Sequence, residues 1–286
     1  MANLKEIRNR ISSVSSTMQI TSAMKMVSAA KLKKAQDAIT AMRPYADKLT
    51  ELLQSLSATL DADSGSKFAD QREVNKVLLV AISSNRGLCG AFNSNIAKQT
   101  TLLMNETYAG KQVDVLAIGK KSNDAFEKTG NVIANKSEVF DDLTFDNVAA
   151  IAQMIMDKFS EGEYDKIVLV YNQFKNAATQ IVQSEQFLPI VPMAGETTSN
   201  ADYIFEPSKA EIVEQLIPKS LKTQLFKAIR DSFASEHGAR MTAMHKATDN
   251  ATELRDQLKL TYNKARQAAI TNEILEIVGG AEALNG

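Results

Sequence analysis

The residues able to do covalent chemistry are few. Cys89 lies in SSNRGLCGAFN, Ser83 to Asn93, where the nearby Arg86 could favour a thiolate nucleophile. Such a nucleophile needs a base, and both histidines, His237 and His245, stand far along the chain in a distal helical stretch. Cys89 reads more simply as a small hydrophobe. AIGKKS, Ala117 to Ser122, ends like a phosphate-binding loop but lacks the upstream glycine of GxxxxGK[ST], and reads as a strand end opening a helix. Gly87 and Gly90 are not in dinucleotide spacing and fit a tight turn, and no GxSxG occurs. One cysteine forbids an internal disulfide, and with two histidines it makes a poor zinc ligand set. No catalytic, cofactor or metal residues are expected.

Another polar group suits binding. Arg266, Gln267, Thr271 and Glu273 lie on an alanine-rich helical stretch, where a guanidinium fork and an amide could grip loops of a partner. Exposed helix polarity is the plainer alternative. Just beyond, Ile270, Ile274, Ile277, Ala281 and Leu284 form an apolar stripe that needs a cover.

The elements carrying these groups follow from pattern. In the 286-residue chain, 33 basic residues face 34 acidic ones, the formal charge is −1, and Trp is absent. The longest apolar run, Val77 to Ile82, is far short of the ~20 residues that cross a bilayer. The start, MANLKEIRNR, shows neither a secretory signal nor a typical transit peptide, which points to a cytosolic chain or one held at a membrane by a partner. Charge is uneven: in residues 1–50, Lys5, Arg8, Arg10, Lys25, Lys31, Lys33, Lys34, Arg43 and Lys48 face only Glu6, Asp37 and Asp47. That segment either seeks an acidic partner or presents a solvated face.

From Leu4 to about Leu60 the chain reads as one helix. Leu4, Ile7, Ile11, Val14 and Met18 form a 3-4 coiled-coil seam. After Met18 the seam is expected to change phase and thin to Ala23, Met24, Met26, Val27, Ala29 and Ala30. Polar breakers follow at Asp61 to Gln71. Residues 74–200 alternate strands with helices: VNKVLLVAIS, a helix from about Ala91 to Tyr108, VDVLAIG, a helix near Lys120 to Lys128, NVIANKSEVF, a helix from Asp146 to Phe159, DKIVLVYNQF and TQIVQSEQFLPIVP. Such alternation predicts crossover connections and a mainly parallel, Rossmann-like sheet. From Ser208 to Leu284 a last helix is expected, with Pro218 as a kink and Met244, Ala247, Ala251, Leu254, Leu258, Thr261, Ala265 and Ala268 as a second seam.

Three segments result: 1–60, 74–200 and 206–286. At about 1.5 Å per residue the last helix is on the order of 115 Å long and the first about 80 Å, so part of the last should extend past its partner. An α/β domain inserted between heptad segments most simply makes a long antiparallel intrachain coiled coil. The architectural alternative is that each seam packs onto the α/β domain as a bundle; the functional ones are a coiled-coil adaptor whose α/β domain binds a ligand and a small-molecule enzyme of doubly wound fold.

Particular stretches also resemble a known family. IRNRISSV, Ile7 to Val14, and TSAMKMVSAAKL, Thr21 to Leu32, are similar to the amino-terminal helix of the gamma subunits of F-type ATP synthases. SSNRGLCGAFNSNI, Ser83 to Ile96, resembles that family's central motif, and IFEPS, Ile204 to Ser208, its entry to the last helix. ARMTAMHKATDNATELRDQLKLTYNKARQAAITNEILEIVGGAEAL, Ala239 to Leu284, is the most specific match. Asn85 departs from the family's usual Asp, and the dithiol insert of chloroplast relatives is absent.

The resemblance implies a central rotor, one copy within three alpha and three beta subunits, with the epsilon subunit and the c-ring as further partners. It implies coupling of c-ring rotation to ATP synthesis or hydrolysis in a proton-translocating complex, with no active site or cofactor in this chain. It also implies no nucleic-acid binding and membrane association only through the complex, on the cytoplasmic side of a bacterial inner membrane. By the same resemblance, Arg266, Gln267, Thr271 and Glu273 grip a catalytic-subunit loop, and Ile274, Ile277 and Leu284 turn in an apolar collar. Met24, Lys25 and Met26 face an acidic lever of a beta subunit, with Lys31, Lys33 and Lys34 beside it.

Overall fold

A computed structural model describes residues 4–57, 67–68, 70–129, 131–190 and 209–285, without the side chains of 47, 50–57, 209–214 and 282–285. The IFEPS segment and most of the expected breakers lie outside the described residues. Two helices dominate, α1 (Leu4–Ser57) and α5 (Lys209–Asn285), the latter with Pro218 inside its continuous span. Both contribute to two compact units, one of Met1–Ser28 with Met241–Gly286, the other Ala29–Arg240.

In the larger unit the hydrophobic runs condense into a five-stranded sheet of order β3-β2-β1-β4-β5. Its strands are β1 (Lys76–Ile82), β2 (Gln112–Ile118), β3 (Val132–Asn135), β4 (Lys166–Phe174) and β5 (Gln180–Leu188). All neighbours pair in parallel except β4 with β5, so the sheet is mainly parallel with one antiparallel edge. The connections are α2 (Phe92–Leu102), α3 (Lys120–Phe126) and α4 (Phe145–Ser160).

Chain order decides which face each helix covers. The steps β1-α2-β2 and β2-α3-β3 move outward in one direction, whereas β3-α4-β4 returns past them, and right-handed crossovers then require opposite faces. Accordingly Ile96 of α2 and Phe126 of α3 pack with Val77, Leu79 and Val115. Ile155, Met156 and Phe159 of α4 pack on the other face with Leu78, Val80 and Leu116, joined there by Leu221 and Leu225 of α5. A central strand covered on both sides must be apolar at every position, which explains the VLLVAI run of β1.

The expected helix from Ala91 to Tyr108 is regular only to Leu102. Residues Leu103–Thr107 widen to π geometry, closed by the Tyr108 amide on the Leu103 carbonyl at 2.9 Å. The expected helix near Lys120 to Lys128 ends as a 3₁₀ turn at Glu127–Thr129.

In the smaller unit α1 and α5 run antiparallel: Arg8 meets Tyr262, Met18 meets Arg255, and Thr21 meets Thr248. Leu4, Ile7, Ile11, Val14 and Met18 face inward as expected, but the phase change after Met18 does not occur. The 3-4 spacing continues through Thr21, Lys25 and Ser28, while Met26 and Val27 are 65 % and 57 % exposed. Helix periodicity rather than residue polarity sets the inward positions, and hydroxyls can occupy them because they find bonds there. Thr21 Oγ1 donates to the Met18 carbonyl at 3.1 Å and lies 2.8 Å from Thr248 Oγ1.

The second seam is corrected in the same way. Met244, Ala251, Leu258 and Ala265 point inward, but the positions between them are Thr248, Arg255, Tyr262 and Ala269, not Leu254, Thr261 and Ala268, which are exposed. Arg255 and Tyr262 are amphipathic and lay their long side chains along the seam while keeping polar tips wet. In the larger unit α1 buries Leu32, Ala35, Ile39, Ala46 and Leu49 at heptad spacing.

Candidate functional site

The end of α5 outlasts its partner. Arg8 Nη2 donates to the Tyr262 hydroxyl at 2.7 Å, with the guanidinium 5.7 Å from the ring centroid, and Lys25 Nζ lies 3.3 Å from His245 Nδ1. Carried to the first residue of α1, Leu4, this register reaches Arg266. Past Ala269 every described side chain through Ala281 is exposed. At 1.5 Å per residue that is a bare rod of roughly 18 Å.

The sequence-predicted grip lies there. Arg266, Gln267, Thr271 and Glu273 are all exposed, and Thr271 Oγ1 donates back to the Gln267 carbonyl at 2.9 Å. Arg266, Ile270, Glu273 and Ile277 follow one face at helical spacing, while Gln267, Thr271 and Ile274 follow the next. Ile274 is 55 % and Ile277 71 % exposed. The side chain of Leu284 lies outside the described residues. Leu275 and Val278 are equally exposed and escaped a reading that followed one stripe, because an unpaired helix presents its whole circumference.

On α1 the predicted residues divide. Met24 is half-buried, and Lys25 turns toward His245, which is itself 3.4 Å from Asp249. Met26, Val27 and Ile20 form the outward apolar group. Ile20 was missed and Val27 assigned inward, yet helical spacing from Ile11 would have placed both outside. Among the basic trio of the larger unit, Lys33 pairs with Asp37 at 3.3 Å, and all three lysines are exposed. Burial pushes the Glu236 pKa up and the His237 pKa down; the Lys31 charge opposes the first in small part and adds to the second.

The carboxyl ends of the parallel strands, where doubly wound folds hold ligands, are filled from within. Lys120 N–H donates to Asn85 Oδ1 at 3.0 Å, Lys121 N–H to the Ser84 carbonyl at 3.1 Å, and Ser122 N–H to Ser83 Oγ at 2.8 Å. The donors that would meet a phosphate in GKKS are therefore engaged. Gly119, at φ +113°, is required because a Cβ would strike the Ser83 carbonyl. Asn85 also donates through Nδ2 to the Ser137 carbonyl at 3.0 Å, a bond that a carboxylate could not make.

Cys89 is buried, with Asn93 Nδ2 donating to Sγ at 3.1 Å. Burial pushes the thiol pKa up, against a smaller opposing effect of Ser84, so it is no thiolate nucleophile. Arg240 of α5 binds this loop: Nη1 is 2.6 Å from Glu236 Oε1, and Nη2 donates to the carbonyls of Arg86 at 3.1 Å and Gly87 at 3.4 Å. His237 nearby packs edge-on to Phe233, centroids 4.5 Å apart, and burial holds its pKa down at about 4. Among the described residues a cleft of about 380 Å³ opens beside α4, lined by Lys136, Glu138, Val139, Asn147, Ile151 and Met154.

A mainly parallel sheet with helices on both faces in one unit, and in the other an antiparallel helix pair whose longer member ends in exposed apolar side chains, are the features of a chain completed by a protein partner. A family model described as ATP synthase matches residues 3–284. The chain is 78 % identical to the ATP synthase gamma chain of Flavobacterium psychrophilum and 52 % identical to that of Cytophaga hutchinsonii, each over the full length of both chains. It belongs to the ATP synthase gamma chain family. Among solved structures, it is similar to a chain of the Euglena gracilis mitochondrial ATP synthase rotor (22 % identity, TM-score 0.66, covering 93 % of this chain and 98 % of that one). A chain of the Tetrahymena thermophila mitochondrial central stalk and c-ring gives 24 % identity and TM-score 0.60, covering 80 % and 99 %. At these identities the likeness concerns the fold.

Proposed function

We propose that this chain is the central rotor shaft of an F-type ATP synthase, a non-catalytic subunit that couples rotation of the membrane ring to ATP synthesis or hydrolysis in the alpha/beta ring. The observation that carries the reading is the stretch of α5 past Ala269 that α1 does not cover, with Ile270, Ile274, Leu275, Ile277 and Val278 exposed on it. Family membership supports it. Segments 1–60 and 206–286 form the shaft and 74–200 the α/β domain, which meets the epsilon subunit and the c-ring. The complex lies on the cytoplasmic face of a bacterial inner membrane.

The physical basis is asymmetry. A single chain inside a threefold ring shows each catalytic subunit a different face, and only such differential contact can shift the three sites to different nucleotide affinities. Arg266, Gln267, Thr271 and Glu273 hold a catalytic-subunit loop; Ile274, Ile277 and Leu284 turn in an apolar collar. Met24, Lys25, Met26, Lys31, Lys33 and Lys34 meet an acidic lever. Contacts that break at each step must remain shallow, which exposed lysines provide and a buried ion pair would not.

Native mass spectrometry of the complex co-expressed with cognate alpha and beta subunits tests the reading. One copy of this chain per three alpha and three beta subunits is expected. Three copies, or no complex, overturns it.

A further inference from the structure

Asp231 of α5 is 1 % exposed, and among the described residues neither carboxylate oxygen has a hydrogen-bond partner. Facing it from α1 is Arg43, 3.8 Å away and 47 % exposed, whose Nη2 is also 3.5 Å from the Phe174 carbonyl at the end of β4. Lys227 on α5 attracts the charge and Glu185 on β5 repels it. Glu185 is in turn bound by the Tyr171 hydroxyl at 2.8 Å and by Gln224 Nε2 at 2.6 Å. Thus α1, α5, β4 and β5 meet around a buried carboxylate that, among the described residues, has no donor closer than the Arg43 guanidinium at 3.8 Å.

We propose that Asp231 is a proton-operated clamp: protonated, it holds the Arg43 segment of α1 closed over α5, and ionised, it favours local opening of that segment. A bare carboxylate under a helix is costly, and a half-solvated guanidinium at 3.8 Å compensates only in part. Water reaches the charge when α1 lifts. Burial pushes the Asp231 pKa up to about 6 against the pull of Arg43 and Lys227. Since lifting α1 returns the carboxyl toward its ordinary value, the closed form binds the proton more tightly. Closure is therefore fully supported below about pH 4 and loses that support as pH rises through about 6. The inference stands apart from the rotor reading, because it concerns packing within the larger unit alone.

Hydrogen exchange of the full-length chain at pH 5 and pH 8, corrected for intrinsic rates, tests it on peptides spanning Ile39 to Leu49. Protection is expected to be about tenfold higher at pH 5 in the native chain. In Asp231→Asn it should be high at both values, with most of that ratio gone. His237, on the same helix, is common to both chains and cancels in the comparison. Arg43→Gln should steepen the ratio, because the ionised carboxylate then loses its facing cation. An unchanged ratio in Asp231→Asn, protection that rises with pH, or a shallower ratio in Arg43→Gln overturns the clamp.

Discussion

Thr21 Oγ1 and Thr248 Oγ1 stand 2.8 Å apart between α1 and α5, and each also lies within hydrogen-bond distance of a carbonyl of its own helix, Met18 at 3.1 Å and Met244 at 2.8 Å, so two hydroxyl protons are shared among three contacts. The pair is a polar tie in an otherwise largely apolar seam, and it supports one register of the two helices. Thr21→Val leaves the Thr248 hydroxyl with its own carbonyl and should cost about 0.5–1.5 kcal/mol. Adding Thr248→Val should recover most of that loss, since two methyl groups then meet. Urea unfolding of both singles and the double, read as a double-mutant cycle, checks the sign of the coupling.

Arg240 supports a stronger dependence. It neutralises buried Glu236 and satisfies the carbonyls of Arg86 and Gly87. Arg240→Ala strands all three and is expected to cost about 3–5 kcal/mol. Arg240→Lys should recover little, because one ammonium does not reproduce the planar fork. Chemical denaturation measures both.

Two buried groups pull the acid response in opposite directions. His237, lowered to about 4, contributes stability above its ordinary pKa near 6.5 that is lost as pH falls toward 4. Asp231, raised to about 6, contributes stability at low pH that is lost as pH rises through 6. The native chain should therefore change little in unfolding free energy between pH 7 and pH 5. His237→Phe should grow more stable over that interval and Asp231→Asn less, each by roughly 1–2 kcal/mol. Parallel slopes for the two variants would be incompatible with this balance.

The bare end of α5 predicts separable effects. Ile277→Ser should leave the unfolding of the isolated chain within about 0.5 kcal/mol of native, because the side chain has no partner to lose. The same change should weaken retention of the chain in the alpha/beta complex. Arg266→Ala should lower coupled turnover, with isolated stability equally unmoved. Single alanine changes at Lys31, Lys33 or Lys34 should lower torque or coupling only modestly, and loss of assembly from one of them would contradict their role as shallow contacts. Gel filtration and ATP-driven rotation assays read these outcomes.

The strands and connecting helices were legible because burial on both faces forces runs such as VLLVAI, and because α4 places Val148, Ile151, Ile155 and Phe159 at helical spacing. The overhang was legible from helix lengths. Seam residues were harder to read, since counting apolar positions chose Val27 and Leu254 where the helices turn Ser28 and Arg255 inward. A long amphipathic side chain can line a seam that its charge would seem to forbid. The latch formed by Arg240 on the Arg86 and Gly87 carbonyls left no sequence signal, because it joins positions 154 and 153 residues apart through backbone oxygens.

The burial of Cys89 beneath Ser84 and Asn93 has a practical side. Maleimides and gold surfaces require an accessible sulfur, so the native chain should stay unlabelled while folded. A cysteine introduced at Ile277 or Met26 would then be the sole attachment point, giving a fluorophore or bead a defined place without first stripping the natural thiol from the chain.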